Sequence, residues 1–569
     1  MDLTTATDNL CLGKLERLPE ASHNGRGLRK RRHRRPGDSV ACGAVDVLIT
    51  GHAGLFVAAG PGGGTTILCD PWFNPAYLGA WFPFPDNAGI DVERISSPTY
   101  LYISHLHKDH FDRDFLARHV DKRATVLLPD FPLPDLREAM EDVGFTRFVP
   151  TRNGEPVDLD GVRVMIVAAT SPSDGPIGDS VLAVDDGEVS LIDQNDCHPR
   201  DPAGLAGLGP YDLHLLQYSG AIWYPMVYRM EPGRKAALAR EKRRRQIERA
   251  MGYIRAVGAA HVVPFAGPPA FLDPELFELN DLHADPANIF LDQPQFLEEM
   301  AGAGMHHGEL AVAGTGIHLG PGRFEVTHAE APEAIFAGKE RYLRSYQQRR
   351  KPQLDTARPR LSGPSRGVGD LAAALAAWWE PLIRHAPTLR RALGGRLVLD
   401  VGAYGVVLDP GEGTVRPWRG EEWEHWFGVD EAVLWDVVDR HVTDWVNELF
   451  LSCRFEADRV GGYNDAVFTF FKCLEPRRMA HLESTLASAE RLADGASSSG
   501  LETFRCGDWV IGRRCPHLGA DLSRFGRVHG ETITCSLHGR TFDLATGRCL
   551  NGVEPPLFSR RALQTPIDG

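Results

Sequence analysis

The sequence predicts an α/β protein of two sheets with helices outside, followed by a small α+β region and a small all-β domain. Three observations carry that expectation. Short apolar strands alternate with helical segments through the first half, and metal-ligand residues fall at strand ends. A second group of ligand-type residues, Cys515-Pro516-His517 and Cys535-Ser536-Leu537-His538, sits among short strands near the C-terminus. Finally, 569 residues are too many for one hydrophobic core.

Composition narrows the class. The net charge of -14 argues against general nucleic-acid binding, and no apolar run is long enough to span a bilayer. Ten cysteines lie scattered, without the dense spacing of a secreted disulfide framework, so a reducing cytoplasm is expected. The basic stretch from Arg26 to Arg35 is followed by a segment too short and too polar for a signal core, so residues 1–40 read as a flexible arm.

In chain order, Val45 to Ile49, Gly54 to Ala58 and Thr65 to Cys69 read as strands, with Pro61-Gly62-Gly63-Gly64 as the turn. Further strands are expected at 124–128, 162–167 and 189–192, and helices at 112–120 and 136–143. A long helix from Pro232 to Val257 carries Lys242-Arg243-Arg244-Arg245, read as a solvated face. This domain is expected to occupy residues 41–335. Arg-, Gln- and Pro-rich composition marks 336–369 as a linker. Residues 370–490 read as an accessory α+β domain, with a helix at 371–385, a strand at 397–408 and one amphipathic helix at 430–450. A linker at 491–500 leads to a last domain at 501–569.

The run His105-Leu106-His107-Lys108-Asp109-His110 follows the apolar strand Thr99 to Ile103. Four ligand types within six residues, in a loop after a strand, can be shared between two neighbouring ions, and imidazole with carboxylate suits zinc, iron or manganese. The motif resembles the metallo-β-lactamase fold superfamily, an αββα sandwich. Gly51-His52-Ala53 and Cys69-Asp70-Pro71-Trp72 are similar to the branch that holds ascorbate-6-phosphate lactonase, a phospholipase D acting on N-acylphosphatidylethanolamine, and CMP-N-acetylneuraminate hydroxylase. The resemblance implies a first ion on His105, His107 and Asp196, and a second on Asp109, His110, Asp196 and His283. It makes Asp196 the bridge, with Asp193 as competitor, and His52 and Asp70 supporting residues. Asp109 and Asp196 would be the catalytic carboxylates. The middle histidine of that family is absent from Ser171 to Asp179; Asp174 or Asp179 is the candidate substitute, and an oxygen-rich site favours iron or manganese over zinc.

At the other end, Cys515-x-His517, seventeen residues, and Cys535-x-x-His538 form a Rieske pattern, in which two thiolates hold one iron of a [2Fe–2S] cluster and two imidazoles the other. Gly519 and Gly539 would let backbone amides approach the sulfurs, and Cys506 and Cys549 read as thiols outside the ligand set. The two modules together resemble the CMP-N-acetylneuraminate hydroxylase family, with the module order reversed. The resemblance implies a monooxygenase with one or two non-haem iron ions, acting on a small polar metabolite with O2, its cluster fed by an external ferredoxin or reductase. The alternatives are a metal-dependent hydrolase with a redox-sensing cluster, and a non-enzymatic redox protein.

Overall fold

The structure is a computed structural model. It describes residues 44–561, apart from 171–176, 221, 282–285, 358–360, 364, 496–501, 518, 538 and 552–555. The expected basic arm, Asp174, His283 and His538 therefore lie outside the described residues. The chain divides into two compact units, one holding residues 43–499 and one holding the C-terminal segment from 500.

In the larger unit, residues of alternating and continuous apolar pattern form two sheets. The eight-stranded sheet runs, in spatial order, Arg323–Thr327, Gly316–Gly320, Val45–Gly51, Gly54–Ala59, Thr65–Cys69, Tyr100–Tyr102, Thr125–Leu128 and Phe148–Pro150. The six-stranded sheet runs His261–Phe265, Leu213–Gln217, Ser190–Asn195, Asp179–Asp185, Val162–Ala169 and Pro156–Leu159. Val47, Leu55, Val57 and Ile67 of the first sheet share one buried cluster with Val164, Ile166, Leu182 and Leu215 of the second. The outer face of the first sheet is covered by helices Arg113–His119 and Asp135–Val143 through Phe115, Leu116 and Met140. Helices Pro232–Val257 and Gln293–Gly302 pack on the outside of the second. This is the αββα order that the sequence predicts.

Thr65–Cys69, Tyr100–Tyr102 and Thr125–Leu128 are parallel neighbours, as are Ser190–Asn195, Leu213–Gln217 and His261–Phe265. Parallel strands deliver their C-terminal ends to one edge, where loops carry functional groups. Cys69 pairs with Tyr102, so Asp70 and Ser104 emerge side by side. Asn195 and Asp196 leave the end of their own strand, and Asp179 begins the strand antiparallel to it.

Several expectations of local structure change. Residues 336–369 are not a plain linker: helices Lys339–Arg349 and Lys351–Ala357 bury Leu343, Tyr346 and Leu354 against Phe82, Leu272 and Phe277. Their exposed faces supply the polar composition. The segment 430–450 is not one helix. Glu431–Asp439 is helical, His441 takes a left-handed φ of 52°, and Val446–Phe450 forms a π-helical turn. The stretch 397–408 is a hairpin of Leu397–Asp400 and Gly405–Asp409. Those strands belong to a five-stranded sheet backed by helices Val368–Arg384, Pro387–Leu393 and Asp465–Lys472. Its core is continuous with the first domain: Trp379, Trp445 and Phe450 share one cluster with Trp72, Trp81, Trp223 and Phe271. An apolar seam on this scale packs the accessory region against the loop after Cys69.

The C-terminal unit contains two three-stranded sheets, Thr503–Cys506, Trp509–Gly512 and Ser559–Arg561, and Gly526–His529, Thr532–Cys535 and Thr541–Asp543.

Candidate metal centre

The loop after Tyr102 is closed by local hydrogen bonds before any metal is considered. The His107 carbonyl accepts from the amides of His110 (3.0 Å) and Phe111 (2.7 Å). Asp112 then caps the following helix, Oδ1 accepting from the Phe115 amide at 3.0 Å, while its Oδ2 accepts from the amides of Phe73 and Asn74. One carboxylate thus locks the end of the motif to the segment after Trp72.

Asp70 organises the interior. Fully buried, it accepts from the Ser104 amide (2.7 Å), the Ser104 hydroxyl (2.6 Å) and His110 Nδ1 (2.8 Å). A carboxylate on Nδ1 puts the proton there and leaves Nε2 as the lone-pair donor. That Nε2 is buried without a hydrogen-bond partner and lies 3.5 Å from Asp196 Oδ1 and 3.9 Å from Asp109 Oδ2. His52 Nε2 lies 3.1 Å from Asp109 Oδ2, and the Tyr77 hydroxyl donates to Asp109 Oδ1. His105 Nδ1 lies 2.9 Å from the Ser104 hydroxyl, 3.3 Å from Asp179 Oδ1 and 3.9 Å from Asp196 Oδ1.

Among the described residues two sets of donor atoms result, each within 4.8 Å: His52, Asp109 and His110, and His105, His110 and Asp196. Non-glycine residues hold this geometry in left-handed backbone, with φ of 49° at His52, 40° at Asp70, 42° at Asn195 and 47° at Ala266. Each such residue costs about 1 kcal/mol or more, so the surrounding packing must impose the conformation.

Charge follows from burial and proximity. Burial alone would raise the carboxyls, yet His110 and His52 hold Asp109 far below the usual range, and His110 and His105 hold Asp196 well below it. Burial opposes a charged His110, but Asp196, Asp109 and Asp70 outweigh it and raise its pKa well above the ordinary value, so Nε2 holds a proton that a bound cation would displace. His107 goes the other way, depressed by burial and by His105. Asp193, the alternative bridge, is pushed well up by burial and by Asp70, and it stands in neither donor set. The donor set fits a divalent cation: buried carboxylates need positive charge, and the unpartnered Nε2 atoms of His52 and His110 lie 3.1 Å from Asp109 Oδ2 and 3.5 Å from Asp196 Oδ1.

Of the sequence-derived candidates, His105, Asp109, His110 and Asp196 come together. His107 stays outside both donor sets, its ring 4.1 Å from His105, and lines a cleft of about 420 Å³. Asp179, a candidate substitute ligand, lies 3.3 Å from His105 Nδ1 but stands in neither donor set. His52, expected only in support, stands in a donor set. Tyr77 and Ser104 had no legible signal, since neither belongs to a periodic pattern or a metal-type spacing. The cleft is shared with the accessory region: Lys108 Nζ is 2.5 Å from the buried Glu448 on the π-helical turn, and Asp444 and Asn447 line the same wall.

In the C-terminal unit, Cys515 and Cys535 are buried at the starts of two matching turns. The Gly519 amide donates to Cys515 O at 2.8 Å and the Gly539 amide to Cys535 O at 2.7 Å, both glycines at φ 74°. The Cys515 and Cys535 amides donate to Ala520 O and Arg540 O, each at 2.8 Å. His517 sits in the first turn. Cys506 is disulfide-bonded, contrary to the free thiol expected.

Two family models match the chain: an Rv3818-like, SCP2-like domain over residues 371–488 and a Rieske [2Fe-2S] domain over 504–558. A protein of Mycolicibacterium smegmatis, named as a Rieske 2Fe-2S iron-sulfur protein, is 45% identical over 519 residues, covering 89% of this chain and 98% of its own. Its namesake from Mycobacterium tuberculosis H37Rv is 45% identical over 530 residues, covering 91% of this chain and 100% of its own. Among solved structures, Igni18, a metallo hydrolase of Ignicoccus hospitalis, is similar at 18% identity over 48% of this chain and 98% of its own, with a TM-score of 0.33. CmlA, a diiron β-hydroxylase of Streptomyces venezuelae, is similar at 17% identity over 49% and 54%, with a TM-score of 0.31.

Proposed function

The chain belongs to the family of the mycobacterial Rieske 2Fe-2S iron-sulfur proteins, and on that premise we propose a Rieske-dependent non-haem iron monooxygenase acting on a small polar substrate. The observation that carries the reading is the union, in one chain, of a Rieske domain with a separate buried His/Asp donor set. A Rieske cluster passes single electrons and needs a redox partner, whereas hydrolysis at a metal needs none.

Cys515, His517, Cys535 and His538 would hold the cluster. His52, Asp109, His110, His105 and Asp196 would hold the second centre, with His107 and His283 as the remaining imidazole candidates. Iron bound there would supply dioxygen activation, and the cluster would supply single-electron transfer. The chain's own residues do the rest. Asp70 keeps the His110 proton on Nδ1 and aims Nε2 at the centre. Tyr77 ties down Asp109 Oδ1, leaving Oδ2 toward His52 and His110. The cleft beside His107, walled by Lys108 and Asn447, admits substrate. The sequence carries no flavin or nicotinamide fingerprint, so a separate ferredoxin or reductase donates electrons.

The test is stopped-flow reoxidation of the dithionite-reduced cluster by O2, in the native protein and in His110→Ala. Reoxidation at least about tenfold slower in the variant, with its Rieske spectrum intact, is expected. Equal rates would leave the second centre outside the electron path.

A further inference from the structure

His105, Asp179 and Asp196 approach one another from three separate elements, and each stands one residue from a member of a single chain of hydrogen bonds. Ser104, before His105, offers its carbonyl to the Ser180 hydroxyl at 2.8 Å. Ser180, after Asp179, offers its own carbonyl to the side-chain amide of Asn195 at 2.9 Å. Asn195, before Asp196, accepts at Oδ1 from the backbone amides of Asp196 (2.8 Å) and Cys197 (3.1 Å). With its own proton committed to Ser104 O, Ser180 Oγ accepts from the Tyr102 hydroxyl at 2.9 Å. Tyr102, Ser104, Ser180 and Asn195 are all fully buried.

This chain of bonds crosses the sandwich. Tyr102 ends a strand of the eight-stranded sheet and Ser104 follows it, whereas Ser180 and Asn195 lie on neighbouring strands of the six-stranded sheet. The ladder between those two strands ends at Leu182 and Asp193, and beyond it the Asn195 side chain takes over the bond to Ser180 O. On its other side, the parallel ladder to Leu213–Gln217 shifts register between Asp193 and Asn195. Such an irregularity bends a strand and re-aims the side chains that follow. Asn195 holds it at a φ of 42°, a backbone that asparagine tolerates better than most residues. Glycine would tolerate it too, but brings neither an acceptor for two amides nor a donor for a carbonyl. The partners fix which way the Asn195 amide points, since the flipped form would set N–H groups against N–H groups. Being neutral, the link leaves the charge of the centre to its ligands.

We propose that Asn195 is a positioning residue of the metal centre, a staple that holds Asp196 toward His105 and His110 by tying its turn through Ser180 to Ser104 on the opposite sheet. Asp196 Oδ1 lies 3.9 Å from His105 Nδ1 and 3.5 Å from His110 Nε2, so a small shift of its backbone would take the carboxylate out of the donor set. Gln194 fastens the far end of the turn, its carbonyl accepting from the Cys197 amide at 3.1 Å and its side chain donating to Cys197 O at 2.9 Å. The Asp196 amide is left to Asn195. Supporting bonds of this kind orient ligands and set metal affinity without touching the metal. The proposal rests on the reading that the His/Asp centre binds a divalent cation, and not on the reaction that follows.

The test is cobalt(II) titration of the full chain after a chelator has removed the metal of the His/Asp centre, followed by paramagnetic resonance with the Rieske cluster kept oxidised and therefore silent. Asn195→Gly keeps the left-handed backbone and removes the side-chain bonds. It is expected to bind cobalt at least about tenfold more weakly than the native chain, with an altered cobalt spectrum and an intact cluster. Val164→Ala, which opens a cavity in the core shared by the two sheets, serves as the control for stability. It is expected to unfold at lower urea yet bind cobalt within about twofold of native, with the native spectrum. Should Asn195→Gly fail to fold, Ser180→Ala decides: it cuts the link to Ser104 and is expected to weaken cobalt binding by at least about threefold with a changed spectrum. Native affinity and spectrum in the folded Asn195→Gly protein, or in Ser180→Ala where that variant decides, would overturn the staple. So would an equal loss of affinity in Val164→Ala. No cobalt bound by the native chain would overturn the metal-centre reading itself, and the staple with it.

Discussion

Replacing Asp70 by Asn tests how the metal centre is held together. The native carboxylate accepts three hydrogen bonds, from the Ser104 amide, the Ser104 hydroxyl and His110 Nδ1, at 2.7, 2.6 and 2.8 Å. Asparagine is nearly isosteric but has one acceptor and one donor. If its oxygen keeps the Ser104 amide, its NH2 faces His110 Nδ1. The imidazole must then move its proton to Nε2, where the lone pair for the metal should be. Loss of an orienting partner of this kind costs roughly 10- to 100-fold in metal affinity, or about 1.4 to 2.7 kcal/mol. Two lost bonds to a buried carboxylate add a folding cost of about 3 kcal/mol or more. Metal affinity is read by equilibrium dialysis against a chelator with metal analysis, and stability by urea unfolding. An Asp70→Asn protein that folds and binds metal within about twofold of native would refute the tautomer argument.

Other predictions follow from the same geometry. His52→Ala is expected to lower metal occupancy by about tenfold or more at constant cluster content, measured by metal analysis with paramagnetic resonance; unchanged occupancy returns His52 to a supporting role. Glu448 is buried between Lys108 and Arg440, so Glu448→Gln is expected to lower stability by about 3 kcal/mol, and Lys108→Met by much less because Lys108 is half exposed; thermal unfolding checks both. His214 is fully buried, and burial pulls its pKa down to about 3, while its Nε2 bonds Gln194 Oε1 at 2.9 Å. It stays neutral in the fold, and the unfolded chain binds the proton below about pH 6.5, so its contribution is present above that pH and is lost as pH falls toward 3. Stability is therefore expected to drop by about 2 kcal/mol between pH 7.5 and pH 5 through this group, and His214→Leu is expected to flatten that slope in urea titrations. Cys515→Ser is expected to abolish the Rieske signal and leave the metal of the other centre in place.

Much of this was legible because the signals are local. A strand, an immediate His-x-His-x-Asp-His run and a Cys-x-His pair with its Cys-x-x-His partner each sit within a few residues, and the structure keeps the first as one loop. Apolar strands of the sandwich were readable for the same reason. What failed to show depends on tertiary approach. His52 joins Asp109 across 57 residues of chain because a left-handed turn at the edge of the first sheet brings it there. Tyr77 arrives through an irregular segment, and Asp70 through pairing of parallel strands. The helices at Lys339–Arg349 and Lys351–Ala357 hid behind a polar composition that belongs only to their outer faces.

On the proposed function, iron occupies the His/Asp centre alongside the Rieske cluster. Iron and zinc per chain, measured with paramagnetic resonance on anaerobically purified native protein and His110→Ala, test it most directly. The account predicts iron in excess of the two atoms of the cluster, little zinc, and loss of only the excess in the variant. Zinc at the centre, with iron confined to the cluster in both proteins, would contradict it.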